Sequence, residues 1–201
     1  MQTLDIEHVL FWMDAIRDSD DRYRTLESFW KGQIKSKLWL IKHLSTFINS
    51  EVTVEIHGGW NGVLSSLLFQ TDLPIKKITN IDIDSKCSSI ARKMNQIELQ
   101  NGKFQHCNCD MLDFESSADV VINTSCEHLL QMDYDKWLSG ISNNSLLVLQ
   151  SNNYAIEEHV RLAETIEEFK NQSSIFCYRS EELNLPLYTR WMLIGTKQFL
   201  F

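Results

Sequence analysis

Four short stretches carry residues whose types and spacing can do chemistry. In Glu55-Ile56-His57-Gly58-Gly59-Trp60-Asn61-Gly62, three glycines follow the β-branched run Val52-Thr53-Val54 and precede an apolar helical pattern. A strand that turns into a helix on glycines lets the backbone approach a ligand with no Cβ in the way. It also presents a helix N-terminus to a nucleotide-like group. The stretch is not G-x-G-x-x-G, because His57 and Asn61 stand where two of the glycines would be expected. Asn tolerates positive φ better than most residues, so Asn61 departs less from that pattern than His57 does. The second stretch is Asn80-Ile81-Asp82-Ile83-Asp84, with Asp82 23 residues after Gly59. A carboxylate at a strand end has two oxygens for the two donors of a ribose diol. Asp84 reads rather as a helix cap.

The third stretch, Cys107-Asn108-Cys109-Asp110-Met111, offers thiols close to His106. Cys-x-Cys without a second pair is poor zinc spacing, so no metal ligand is assigned. Alternation along a strand puts both thiols on one face, most simply in the core. The fourth is Asn123-Thr124-Ser125-Cys126-Glu127-His128, delivered by the apolar run 118–123. His128 could act as a general base on a nitrogen or oxygen nucleophile near neutral pH, with Glu127 orienting it or holding an amine. The other reading is a set of helix-capping and packing polar residues. Cys126 as a covalent nucleophile would lack the neighbouring proline that cytosine chemistry uses.

Hydrophobic periodicity gives the elements that must position these residues. An amphipathic helix is expected over 4–16, and one or two more over 24–48. Strands are expected at 51–57, 76–83, 103–107, 118–123 and 145–150, with helices near 60–70, 85–99, 133–141 and 154–171 between them. Asp84 or Ser85, Asp133 and Asn153 are the expected caps. Two strand-like segments, Ser173–Arg179 and Leu187–Lys197, then follow with no room for a helix between them. The last strand should therefore run antiparallel. This alternation reads as an α/β chain with a doubly wound, mostly parallel sheet and a closing β-hairpin. Residues 1–48 read as a helical extension and 49–201 as the α/β domain.

The 201 residues suffice for one domain with a real core. The composition, 43% hydrophobic and 23% charged with only two prolines, excludes disordered and fibrous classes. No run approaches a membrane span, and five cysteines without framework spacing fit a reducing, cytoplasmic setting. A net charge of −8 disfavours bulk nucleic-acid or acidic-membrane binding. Residues 17–42 run against it, with seven Lys/Arg against four acids, mixed with Tyr23, Phe29, Trp30 and Trp39. Either this is a solvated helix face, or it is a lid or docking surface for an anionic group.

The ordered set of features, a glycine turn after the first strand, an acid ending the second and a closing hairpin, resembles the class I S-adenosylmethionine-dependent methyltransferases over roughly residues 50–197. That resemblance implies a Rossmann-like seven-stranded sheet and S-adenosyl-L-methionine as cofactor. It implies that Glu55 supports the methionine amino group, that His57, Gly58, Gly59, Trp60 and Asn61 form the cofactor loop, and that Asp82 and Ile83 meet the adenosine. Asp110 would contact the adenine amino group with Met111 packed on the ring, and Asn123 would face the methyl group. Lys35, Lys37 or Gln33 on the N-terminal helices could meet the cofactor carboxylate, with Lys37 the candidate carried forward from charge alone.

Exclusions narrow the chemistry. Asn123-Thr124-Ser125-Cys126 is not the Asp/Asn-Pro-Pro-aromatic of amino methyltransferases acting on bases, and there is no P-loop and no Tyr-x-x-x-Lys pair. The expected activity is methyl transfer to a nitrogen or oxygen of a small molecule, with His128 and Glu127 as catalytic candidates. The competing readings are a non-methylating S-adenosylmethionine binder, and an RNA or protein methyltransferase that docks through the basic stretch.

Overall fold

The computed structural model describes residues 5–197, so Leu4 of the first expected helix lies outside the described residues. Seven strands form one sheet in the order β3-β2-β1-β4-β5-β7-β6. The chain folds as two compact units, Met1–Asp110 and Met111–Phe201.

In the first unit, Asp5 and Asp21 cap α1 (Ile6–Arg17) and α2 (Arg22–Glu27) by accepting from the backbone N–H of Glu7 and Arg24. Then come α3 (Lys31–Leu44), β1 (Val52–His57), α4 (Val63–Phe69), β2 (Ile75–Asp82), α5 (Ser85–Met94), α6 (Gln96–Gln100) and β3 (Phe104–Asn108). β1, β2 and β3 pair in parallel. Val54, Ile56, Ile78, Ile81 and Phe104 are buried, as are Leu64, Leu68, Ala91 and Met94 from the helices. Burying side chains of this size gives roughly 1.5–3 kcal/mol each before entropy. That burial seats the strand ends that carry the glycine turn and Asp82.

The expected helix over 85–99 is divided at Asn95. Its side-chain amide donates to the carbonyls of Ala91 (2.8 Å) and Gly62 (3.1 Å), diverting the backbone while holding the start of α4. The helix expected from 60 begins at Val63, because residues 58–62 are spent on the turn.

The second unit contains β4 (Val120–Asn123), α7 (Gln131–Ser139), β5 (Leu146–Asn152), α8 (Ile166–Ser173), β6 (Ile175–Asn184) and β7 (Thr189–Lys197), with short 3₁₀ turns at Met111–Asp113 and Cys126–His128. β4 and β5 are parallel, and β7 runs antiparallel to both β5 and β6, as the paired strand segments predict. Tyr134, Trp137, Leu147, Leu149, Phe169, Trp191 and Leu193 form its core.

Two expected helix starts are corrected. α7 begins at Gln131, so Asp133 lies in its first turn and does not cap it. The helix expected over 154–171 is irregular chain until Ile166. Thr165 is the cap, accepting from Glu168 N at 3.1 Å, while Asn153 Oδ1 instead accepts from Thr189 N at 2.8 Å.

Candidate functional site

In the first unit, the carboxyl ends of β1 and β2 meet at a tightly wound turn. Gly58 (φ 66°), Trp60 (φ 47°) and Gly62 (φ 74°) lie in the left-handed region. Trp60 is the costly member, since a bulky side chain at positive φ is strained by about 1–3 kcal/mol. Asp82 holds it there, Oδ2 accepting from Trp60 N at 2.7 Å while Oδ1 accepts from Asp84 N at 2.9 Å. The positive φ anticipated at Asn61 falls on Trp60 instead, and Asn61 is buried. Gly59 N donates to Ile81 O at 3.0 Å, drawing the turn onto β2. A Cβ at Gly59 would lie 1.9 Å from Asn80 Oδ1, so no other residue fits unless Asn80 moves.

Asn80 and His106 complete this support, a role that neither Asn80 in the second stretch nor His106 beside the thiols announces in the sequence. The Asn80 amide donates to Trp60 O (3.3 Å) and to His106 Nδ1 (3.1 Å). Burial lowers the His106 pKa, which agrees with an unprotonated Nδ1 acceptor. Strand alternation turns His106 away from Cys107. Both Cys107 and Cys109 are half-buried rather than core residues.

Glu55 and His57 share one face of β1, both buried, with His57 Nε2 3.7 Å from Glu55 Oε2. Ile83 is 68% exposed next to Asp82, an apolar side chain standing in solvent at a strand end. Asp110 follows β3 and is half-buried.

The N-terminal helices pack on this same unit. His8 Nε2 meets Glu98 Oε1 at 2.9 Å, Trp12 donates to Ser66 Oγ at 2.8 Å, and Arg24 pairs with Asp84 at 2.5 Å. Lys93 pairs with Asp18. Part of the basic surplus of residues 17–42 is therefore committed within the fold: Arg17 to Asp14 and Asp18, and Arg24 to Asp84. A polar cleft of about 490 Å³ lies among Ser19, Asp21, Arg24, Asn61 and Lys86. Lys37 on α3 donates to Gln33 Oε1 at 2.8 Å.

In the second unit, Asn123 ends β4. Its Oδ1 accepts from Ser125 N (2.9 Å) and its amide lies 3.6 Å from Met111 Sδ. Cys126 is fully buried and its thiol is pushed up to about 12 by desolvation, which argues against a nucleophilic role. Glu127 is 1% exposed. Its Oε1 accepts from Asn152 Nδ2 (2.5 Å) and Arg190 Nη2 (3.1 Å), while Oε2 is buried with no hydrogen-bond partner. Arg190 Nη1 reaches Gln150 Oε1 and Thr124 O, each at 3.3 Å.

The Glu127 carbonyl accepts from Val160 N (2.9 Å) and Arg161 N (3.0 Å), which brings chain 153–165 over this segment. His128 is exposed, and its ring meets that of His159 edge-on with centroids 4.7 Å apart. The structure thus brings Glu127 and His128 together with three residues the sequence reading left aside: Asn152, His159 and Arg190. Arg190 did leave a trace in the sequence. It is the only charge between Thr189 and Gly195, and a charge in a buried strand requires a counter-charge.

No family model matches the chain, and no curated protein matches it in sequence. Solved structures do match in fold. Magnesium protoporphyrin IX methyltransferase from Synechocystis PCC 6803 with bound S-adenosylmethionine superposes with a TM-score of 0.66 at 15% identity, covering 98% of this chain and 100% of that one. A 1,6-didemethyltoxoflavin N1-methyltransferase from Burkholderia thailandensis, with its substrate and S-adenosylhomocysteine, gives 0.65 at 13%, covering 98% and 92%. The small RNA methyltransferase HEN1 gives 0.65 at 16%, covering 81% of this chain and 25% of that chain. The fold expected from the sequence is the fold observed, that of the class I S-adenosylmethionine-dependent methyltransferases. Among the described residues no helix is long and apolar enough to cross a membrane.

Proposed function

From a class I methyltransferase fold, we propose that this chain binds S-adenosyl-L-methionine and transfers its methyl group to a nitrogen or oxygen of a small molecule. The observation that carries this reading is the left-handed turn at Gly58–Gly62 fastened to Asp82 by the Trp60 N–H. The residues present fit the cofactor. Asp82 uses one hydrogen bond on each oxygen, and a carboxylate has about four acceptor sites, so two remain for a ribose diol. Ile83 supplies an exposed apolar side chain for the adenine face. Glu55, His57 to Asn61, Asp110 and Lys37 complete the cofactor set proposed for the first unit, and Met111 and Asn123 are the second unit's candidates.

The cofactor supplies an already activated methyl group. What the protein contributes is alignment of the acceptor and exclusion of water. His128 Nδ1 lies 3.1 Å from the Glu158 carbonyl, which can only accept. Nδ1 therefore carries the proton and Nε2 keeps a lone pair that can take one from the acceptor. Glu127 is committed to Arg190 and Asn152 and orients the segment.

A small RNA methyltransferase among the structural neighbours makes RNA the second acceptor class to test. The net charge of −8 and the ion pairs at Arg17 and Arg24 favour a small molecule. Calorimetric titration with S-adenosylmethionine, S-adenosylhomocysteine and NAD, on the native chain and on Asp82→Ala, tests the reading. Binding of the first two, weakened in the variant, supports it; binding of none of them overturns it.

A further inference from the structure

We propose that Glu127, His128 and His159 form a binding site for a single divalent first-row transition-metal ion. One ligand-capable atom from each of the three lies within 4.8 Å of those from the other two. Ligands of a tetrahedral ion with bonds of about 2.0–2.1 Å stand roughly 3.3 Å apart. Small side-chain rotations of an exposed and a half-exposed imidazole close that difference.

Both rings are already set in the required tautomer. His128 Nδ1 lies 3.1 Å from Glu158 O, and His159 Nδ1 lies 2.6 Å from Tyr154 O. A carbonyl only accepts, so each Nδ1 holds the proton and each Nε2 presents a lone pair. A carbonyl behind the imidazole is the second-sphere contact that metal-binding histidines use.

The carboxylate gives the independent observation. Glu127 is 1% exposed, and its Oε2 is a buried acceptor with no hydrogen-bond partner, a costly condition for an ionised group. Arg190 and Asn152 engage only Oε1, leaving Oε2 as the unspent ligand atom. A cation there would satisfy it.

The surrounding charges set the expected strength. Arg190 offsets part of the Glu127 charge. Arg161 stacks on Tyr134 at 3.9 Å and bonds the Cys126 carbonyl, while Glu157 and Glu158 are acids on the covering loop. Two imidazoles and one carboxylate suit Zn²⁺, Mn²⁺, Fe²⁺ or Co²⁺ over the all-oxygen preference of Ca²⁺ and Mg²⁺. Three protein donors leave positions open for water or for an oxygen or nitrogen donor of a substrate. His128 Nε2 has one lone pair, so the proton-accepting role described above belongs to the metal-free chain, and with the ion bound that nitrogen is a ligand. The site belongs to the second unit and needs no S-adenosylmethionine, so its failure and that of the methyltransferase reading are distinguishable.

The test uses the full chain freed of metal by a chelator and titrated with Co²⁺ by visible absorption and with Zn²⁺ by calorimetry. One equivalent should bind with a d–d band, and His128→Ala and His159→Ala should each weaken it by at least about 100-fold, since removing a ligand costs more than the roughly 10–100-fold lost with a residue that only orients one. Cys107→Ser/Cys109→Ser should leave it unchanged. Both histidine variants should melt like the native chain in chelator. Glu127→Gln is a poorer probe, because Arg190 loses its counter-charge. The proposal fails if the native chain binds no metal saturably, if binding survives in both histidine variants, or if it is lost in the cysteine variant.

Discussion

The backbone N–H of Trp60 donates to the Asp82 carboxylate across 2.7 Å, tying the turn after β1 to the end of β2. A left-handed Trp is unfavourable by itself, and the charged acceptor offsets that cost. Asp82→Ala should therefore destabilise the chain by about 1.5–3 kcal/mol, the usual worth of a hydrogen bond to a charged group. S-adenosylmethionine affinity should fall with it. Asp82→Asn keeps an acceptor for Trp60 and should recover stability more than affinity, which thermal unfolding and calorimetry on the same samples would separate.

Gly59 is fixed by a neighbour. Its absent Cβ would overlap Asn80 Oδ1, so Gly59→Ala should cost about 1–3 kcal/mol by overpacking. Asn80→Ser makes room, and the double variant should lose less than the sum of the two single changes. Strict additivity in urea unfolding would refute the clash.

Arg190 and Glu127 form a buried pair, with side chains 8% and 2% exposed. Arg190→Met should cost about 3–5 kcal/mol, since it leaves the carboxylate charged and uncompensated. Arg190→Met/Glu127→Gln should restore a good part of that. Equal losses in single and double variants would mean that Arg190 acts by packing alone.

Acid should weaken the first unit. The backbone N–H of Lys86 and then the Arg24 guanidinium hold Asp84 below the usual carboxylate range, and Arg17 and then Lys93 bring Asp18 down to about 2. Because these groups bind protons less readily folded than unfolded, their contribution is complete above the unfolded carboxylate value of about 4 and is lost as pH falls below it. Urea midpoints measured at about pH 5 and about pH 3 should drop more for the native chain than for Asp18→Asn/Asp84→Asn. Equal drops would count against these two carboxyls.

Lys37 lies on α3, which packs against α4, the helix that follows the glycine turn. Lys37→Ala should weaken S-adenosylmethionine binding with little effect on melting. Unchanged affinity in the same titration would remove Lys37 from the cofactor set.

Much of the fold is legible because period and burial agree. Val52-Thr53-Val54, Asp84 at a helix start and the paired closing strands each specify their structure locally, and the glycine turn and Asp82 lie where strand ends must bring them. What escapes is long-range. Asn80 reads as an ordinary strand residue and His106 as a neighbour of the Cys107 and Cys109 thiols, and only their pairing across β2 and β3 reveals the support beneath Gly59. His159 was hidden inside an apparent helix over 154–171, although Thr165-Ile166-Glu167-Glu168 has the Ser/Thr-x-x-Glu spacing of a helix start. That signal, given its due weight, frees residues 153–165 from the helix and makes a histidine beside His128 conceivable.

β7 lies between β5 and β6, although both precede it in the chain. During synthesis, Leu146–Asn152 therefore emerges with one edge open, and the chain must make the 36 residues 153–188 before Thr189–Lys197 arrives to cover it. An uncovered apolar strand edge is a template for pairing with another chain. β6 cannot cap it, since among the described residues the strand that β6 pairs with is β7. The second unit should thus be the late and aggregation-exposed half of the folding reaction, closing only when β7 slots into place.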